Sequence, residues 1–514
     1  MAISRRHFFF GSLLAGAVPT GGFGSTPSLK MMGYKSPNEK LNIASIGSGG
    51  KAASDIHGCA PTENIVALCD VDDKQAANIF KQFDKLPKYK DFRKMLDKEG
   101  PNIDAVIVTI PDFMHATAAI HCMERGKHVY VQKPLVHTIY EARQILDAAN
   151  KYKVATQMGN QGYSNEGTRQ CAEMIWAGEI GGVTEVHAWT DRPIWPQGLT
   201  EIPPESPVPA TLDWDLWLGH AAARPFTSGG EAYAKTRYNF YQPFNWRGFY
   251  DFGCGALGDM ACHILGAPNM ALKLSQRPPT SVEVVMKEGN STFMYPKKSI
   301  IRYDFPALGT MPPVKLFWHD GLKEPPKIQG VPEGEMLGDI RRVRPGGGRG
   351  QGRGQGRGQG QGMAAAPGSG QPVTASSMPT AIQGEVYDAT QTYQIGENDG
   401  SVFLGDKGII TTGTYGANTR LLPVEKMKDY HFPPELLTRS PGHYRDWIRA
   451  AKGGDPACSN FSVSSPFVEW MLLGVIALRT EGKIEYDPAK MRITNNNEAN
   501  KYIKPYMRKG WTLA

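Results

Sequence analysis

At 514 residues the chain is too long for a single hydrophobic core, so two domains with appendages are expected. Hydrophobic residues make up 40% and charged residues 21%, an ordinary globular balance. The formal charge of +7 resides mostly in Arg341, Arg342, Arg344, Arg349, Arg353 and Arg357, so the remainder is near neutral and no nucleic-acid partner is expected.

The N-terminus carries Ser4-Arg5-Arg6-His7 and three phenylalanines, then a short apolar run from Gly11 to Val18 and small residues up to Ser25. A twin arginine before a modest apolar run resembles a Tat export signal over residues 1–25, which implies a periplasmic location. The run is too short to span a bilayer, no other stretch reaches that length, and no membrane span is expected. Residues 26–39 read as a linker.

From Leu41 onward short apolar strands alternate with amphipathic helices. Strands are expected at 41–46, 65–69, 105–110 and 128–131, and helices at 51–59, 74–83, 92–98, 115–125 and 139–150. Continuously apolar strands separated by helices require a parallel sheet covered on both faces, which predicts an α/β Rossmann domain over residues 40–160. After Gly182 the texture changes to β-branched and aromatic strands, at 183–190, 281–286, 299–304, 315–318, 401–404 and 408–412. An irregular segment rich in Trp and Pro interrupts them, and a helix with an apolar face is expected at 465–480. Residues 161–514 are therefore expected to form an α+β domain for substrate and self-association, with an open, largely antiparallel sheet. Within it, the Gly/Gln/Arg repeat at about 341–380 cannot bury enough apolar surface to offset its chain entropy, and a disordered, functionally idle loop is expected. Seven scattered cysteines without a Cys-x-x-Cys pair read as reduced, mostly buried thiols, with no metal site.

Gly47-Ser48-Gly49-Gly50-Lys51-Ala52 lies between the first strand and the first helix and matches G-x-G-x-x-G/A. Gly47 permits the tight turn, Gly49 lets the backbone approach a pyrophosphate, and the helix N-terminus supplies free N–H groups. Asp70 ends the second strand about 20 residues on, where a carboxylate accepts from ribose hydroxyls. No arginine adjoins it to neutralise a 2′-phosphate, so NAD is the expected cofactor.

Lys133-Pro134 follows the fourth strand, at the carboxyl edge of the sheet, where a lysine can donate to a substrate oxygen. Further on, Asp259 and His263 stand one helical turn apart, and an imidazole suits removal of a hydroxyl proton. Trp246 and Arg247, just upstream, are the best-placed candidates to wall a carbohydrate site.

These residues together resemble the Gfo/Idh/MocA oxidoreductase family, closely from about Lys40 to Gly182 and more loosely through His263. The resemblance implies that Lys133 is a proton-relay or orienting group, His263 an acid/base and Asp259 a substrate-positioning carboxylate. It further implies that Pro111, Asp112 and His115 lie along the cofactor and that Asn160 and Gln161 lie near the nicotinamide ribose. The family's Glu before the lysine is Gln132 here, so a charge-assisted contact from that position to the cofactor is weakened or replaced. The expected activity is oxidation or reduction of a secondary alcohol on a sugar, glycoside or cyclitol. Because free NAD is scarce outside the cytoplasm, the cofactor is expected to stay bound and to be recycled in place. Three readings stay open: net oxidoreduction, redox-neutral glycoside cleavage by oxidation, elimination and reduction, and a catalytically silent sugar-binding protein. A wide open sheet would offer a natural face for a homo-oligomer.

Overall fold

A computed structural model describes residues 39–234, 239–342, 393–395 and 399–513. The expected export signal and most of the expected Gly/Gln/Arg loop lie outside the described residues. The first sheet comprises β1 (Asn42–Ile46), β2 (Asn64–Cys69), β3 (Lys88–Tyr89), β4 (Ala105–Val108), β5 (His128–Val131) and β6 (Thr156–Met158). Its order is β3-β2-β1-β4-β5-β6, and every pair is parallel. Order reverses between β1 and β4, which opens a crevice at the carboxyl ends of those strands. The helices of this domain are α1 (Lys51–Cys59), α2 (Asp73–Gln82), α3 (Phe92–Glu99), α4 (His115–Glu124) and α5 (Ile139–Tyr152). Their starts are chemically marked: Asp72 caps α2, Asp91 caps α3, and Thr138 with Glu141 forms a capping box on α5. β3 and β6 are two and three residues long, too short for hydrophobic periodicity to reveal.

Past α6 (Glu166–Trp176) the chain builds a nine-stranded sheet in the order β15-β14-β13-β7-β10-β9-β8-β16-β17. Its strands are β7 (Val183–Trp189), β8 (Ser281–Glu288), β9 (Lys298–Phe305), β10 (Val314–Asp320), β13 (Gly400–Gly405), β14 (Ile409–Thr412), β15 (Arg420–Leu422), β16 (Ile484–Asp487) and β17 (Arg492–Ile493). Only β7 and β10 run parallel; the other neighbours are antiparallel. A separate two-stranded ladder joins β11 (Ile340–Arg342) to β12 (Tyr393–Ile395), so Arg341 and Arg342 belong to a strand and not to the disordered loop expected there.

Three helices complete the core: α7 (Gly255–Ile264) packs on β10, α8 (His443–Ala451) on β6, and α9 (Phe461–Leu478) on both sheets through β6 and β8. The single apolar face expected for the last is too modest, since buried residues surround α9 on almost every side. By length and a mean hydropathy of 1.6 it meets the criteria for a membrane span, yet 83% of it is buried inside this fold. α8 returns to the first sheet, where Trp447, Ile448 and Ala451 share a core with Leu41, Ile43, Ile56 and Tyr130. Residues 161–514 are thus not a self-contained module, because one face of the parallel sheet is closed by a helix about 300 residues downstream of its last strand. All seven cysteines are free thiols, six of them buried.

Candidate active site

The glycine turn is shaped by close backbone approach. Gly47 has φ 89°, and a Cβ on it would lie 2.0 Å from the Thr109 carbonyl oxygen at the end of β4. A Cβ on Gly49 would lie 2.4 Å from the Gln75 carbonyl oxygen. α1 then begins at Lys51 without a capping side chain, so its first N–H groups have no side-chain acceptor. Asp70 sits where β2 ends, and its Oδ2 accepts from the backbone N–H of Ser48 (2.9 Å) and Gly49 (3.2 Å). Burial raises its pKa, with the hydrogen bonds from Asp72, Ser48 and Gly49 opposing. Asp70 therefore braces the turn in addition to standing where a ribose would lie. A cradle that side chains would fill, an uncapped helix start and a strand-end carboxylate fit a dinucleotide pyrophosphate and ribose. Gly47, Ser48, Gly49, Gly50 and Asp70 are the residues that would hold NAD.

Beside this turn, β5 delivers Lys133 and α7 delivers Asp259 and His263. Lys133 Nζ donates to Asp259 Oδ1 at 2.9 Å and to the Asp259 carbonyl at 2.5 Å. Arg247 Nε donates to the same Oδ1 at 3.1 Å. Both cations are largely shielded, with side chains 14% and 19% exposed. Burial alone would raise the pKa of Asp259, but the charges of Lys133 and Arg247 outweigh it and hold the carboxyl well below the usual range. His263 is buried and its Nδ1 has no hydrogen-bond partner. Desolvation, reinforced by the Lys133 charge, pushes its pKa far down, so the imidazole is uncharged at neutral pH. The ring of Tyr415 stands edge-on to it at 4.7 Å. The three residues expected to carry the chemistry are thereby brought to one place, together with Arg247.

Several residues expected along the cofactor point inward instead. His115 is fully buried, with its ring nitrogens each 2.8 Å from the carbonyls of Pro134 and Ile110; it braces the backbone behind Lys133. Gln132 is buried and donates its amide to Asp55 and the Tyr130 hydroxyl. Asn160 is fully buried, accepting from the Ser459 hydroxyl and donating to the Cys262 carbonyl. In each case the fold brings up a carbonyl or a polar side chain as partner, which position in sequence does not disclose. Asp112 is also buried, accepting from Cys254 N at 3.1 Å. Desolvation raises its pKa to about 7 against the pull of Arg247 and Lys133. Pro111 is half-buried at the start of the short turn Asp112–Met114, and Gln161 keeps a buried Oε1 without a partner. Trp246 is nearly buried and offers its ring to the Arg247 guanidinium, 4.3 Å from the ring centre, leaving little face for a sugar. The paired Trp214 and Trp217 pack among Phe226, Tyr241 and Phe252 as core.

Two residues of this region escape the sequence reading. Tyr415 gives no local signal. Asp55 does: the buried face of α1 is Ala52, Asp55, Ile56 and Cys59, and a carboxylate on an otherwise apolar helical stripe marks a buried polar contact.

A parallel doubly wound sheet with this glycine turn, joined to a mixed-sheet domain whose helix α7 brings Asp259 and His263 to Lys133 at the edge of the first sheet, defines a dinucleotide-dependent oxidoreductase architecture. The chain matches the oxidoreductase family model for the NAD-binding Rossmann fold over residues 41–160 and the family's C-terminal α/β domain over residues 178–304. It belongs to the Gfo/Idh/MocA oxidoreductase family, and its cofactor is NAD. Among curated relatives, a glycosyl hydrolase family 109 protein of Shewanella putrefaciens is 30% identical over 189 residues, 32% of this chain and 41% of that protein. An inositol 2-dehydrogenase of Pseudomonas fluorescens is 30% identical over 153 residues, 29% of this chain and 45% of that enzyme. The matched segments thus span less than half of these relatives. Among solved structures, the WlbA dehydrogenase of Chromobacterium violaceum, in complex with NADH and UDP-GlcNAcA, shares the fold at a TM-score of 0.50 and 14% identity, covering 88% of this chain and 97% of that one.

Proposed function

We propose that the protein is an exported, periplasmic oxidoreductase that interconverts a secondary hydroxyl and a ketone on a sugar, glycoside or cyclitol, with NAD retained and recycled in place. The observation that carries this reading is the convergence of Lys133 and Arg247 on one oxygen of Asp259, one helical turn before the buried, uncharged His263. Bound NAD supplies the hydride acceptor or donor. His263, being neutral, takes the hydroxyl proton, while Lys133 donates a hydrogen bond to the same oxygen and Asp259 fixes the direction of that ammonium. Arg247, with Nε on Asp259 and Nη1 on the Phe244 carbonyl, offers Nη2 to a further substrate hydroxyl. The similarity to an inositol 2-dehydrogenase supports a polyol substrate, and Arg5-Arg6 supports export. The wide second sheet supports self-association, which a molar mass measured by light scattering tests.

A second reading, redox-neutral cleavage of a glycoside, is favoured by the similarity to glycosyl hydrolase family 109 proteins over about a third of this chain. One preparation separates these readings. Nucleotide is released from purified protein by denaturation, and the native protein is challenged with free sugars and with aryl glycosides. A change in bound-NADH fluorescence on adding a free sugar supports net oxidoreduction, and aryl release without net NADH supports glycoside cleavage. Bound nucleotide with neither response sinks both and leaves a sugar-binding protein.

A further inference from the structure

The carboxylate of Asp55 is fully buried, yet four side chains donate to it. Lys51 Nζ reaches Oδ1 at 2.6 Å and Tyr444 Oη reaches it at 2.8 Å. Thr109 Oγ1 reaches Oδ2 at 2.9 Å, and Gln132 Nε2 spans both oxygens at 3.2 and 3.0 Å. These donors come from four places that frame the dinucleotide cleft: the first residue of α1, the end of β4, the residue before Lys133, and α8. Two of them lead directly to site residues. Thr109 presents the carbonyl against which Gly47 fits. Gln132 passes the contact on, because its Oε1 accepts from the backbone N–H of Lys133 at 3.2 Å. Its Nε2 also donates to Tyr130 Oη, which lies 2.9 Å from His443 Nε2 on α8. The ring of Tyr444 fills the space beside Gly58, where a Cβ would lie 2.3 Å from it. A buried carboxylate costs several kcal/mol in desolvation unless donors surround it, so this arrangement is held against a large penalty.

We propose that Asp55 is a positioning residue for NAD binding: acting through Gln132 and Thr109, it sets the backbone of Lys133 and the wall of the glycine turn, and it clamps α8 behind the cleft. The amide of Gln132 can donate to Asp55 only because position 132 is not itself ionised. The pair has one acid and one amide, with the acid on the helix and the amide on the strand. Its logic is complementarity, so exchanging the two members preserves it: an amide at 55 donates to a carboxylate at 132, which still accepts from Lys133 N. Either single change breaks it. Asp55→Asn sets two amide NH₂ groups against each other, and Gln132→Glu sets two carboxylates in contact. The inference rests on NAD binding and holds whichever sugar chemistry operates.

The test is NADH affinity, read by fluorescence titration of nucleotide-stripped full-length protein, for Asp55→Asn, Gln132→Glu and the double exchange. Each single variant is expected to weaken binding about tenfold or more, and the double variant to recover to within about threefold of the parent. Tyr444→Phe removes one donor and keeps the ring; it is expected to weaken NADH several-fold while lowering the melting temperature of the nucleotide-free protein less than Asp55→Asn does. If Asp55→Asn lowers that melting temperature but leaves NADH affinity unchanged, Asp55 is a packing element and the proposal fails. It fails equally if the double exchange binds no better than the weaker single. If the singles do not fold, unaltered NADH affinity in Tyr444→Phe overturns it.

Discussion

Lys133 Nζ lies 2.9 Å from Asp259 Oδ1, although 126 residues separate them and one follows a strand of the parallel sheet while the other sits on a helix beyond it. The pair joins the NAD-binding domain to the C-terminal α/β domain. The buried Asp259 carboxylate, held well below the usual range by Lys133 and Arg247, fixes the direction of the ammonium.

Removing the amine tests that arrangement directly. Lys133→Ala is expected to retain NAD at purification, since the glycine turn and Asp70 are untouched, and to lower turnover by about 10²–10⁴-fold. Nucleotide content by absorbance and turnover on the identified substrate check the two halves separately.

Asp259 ties stability to pH. Its folded pKa lies below the unfolded value of about 3.9, so its contribution is present above that value and is lost as pH falls through the folded one. The melting-temperature gap between the parent and Asp259→Asn should be full at pH 6–7 and shrink below about pH 4. Thermal melts across pH 3–7 measure it.

Asp112 predicts the opposite slope. Its folded pKa is raised to about 7, so the unfolded chain loses this proton from about pH 4 upward while the native one keeps it. The parent should therefore lose stability between about pH 4 and pH 7 relative to Asp112→Asn, whose amide oxygen can still accept from Cys254 N. Melts of the two proteins at pH 4.5 and 7.5 give the sign; a constant difference contradicts the buried acid.

Gly47→Ala places a methyl 2.0 Å from the Thr109 carbonyl at φ 89°. The left-handed backbone alone costs about 1–2 kcal/mol, and the clash forces the turn to open. Loss of bound NAD with a lowered melting temperature is expected, measured by nucleotide release and calorimetry.

His263 is uncharged in the fold because burial outweighs its charge stabilisation. Its folded pKa is below the unfolded value of about 6.5, so its contribution makes stability fall as pH drops through 6.5, where only the unfolded chain takes up the proton. His263→Gln should abolish turnover, keep NAD, and flatten that part of the stability profile.

What the amino-acid order determined by itself is the local half of this protein. Gly47, Asp70 and the continuously apolar β1, β2, β4 and β5 announce a covered parallel sheet and its dinucleotide turn, because each signal lies within about 20 residues and follows from backbone freedom or period. Lys133, Asp259 and His263 were legible as chemistry-bearing types at strand and helix ends. Only the tertiary structure decided which polar groups face inward and which face the cleft. His115, Gln132 and Asn160 lie beside cofactor-facing positions in sequence, yet their partners come from elsewhere: a carbonyl 19 residues away, a carboxylate 77 residues away and a hydroxyl 299 residues away. A buried polar side chain goes to whichever donor or acceptor the packed chain brings to it, since leaving it unpaired costs more than any local preference supplies. The docking of α8 on the first sheet and the gathering of Thr109, Gln132 and Tyr444 around Asp55 follow the same rule; of that cluster only Lys51, one helical turn away, lies in the same window of sequence.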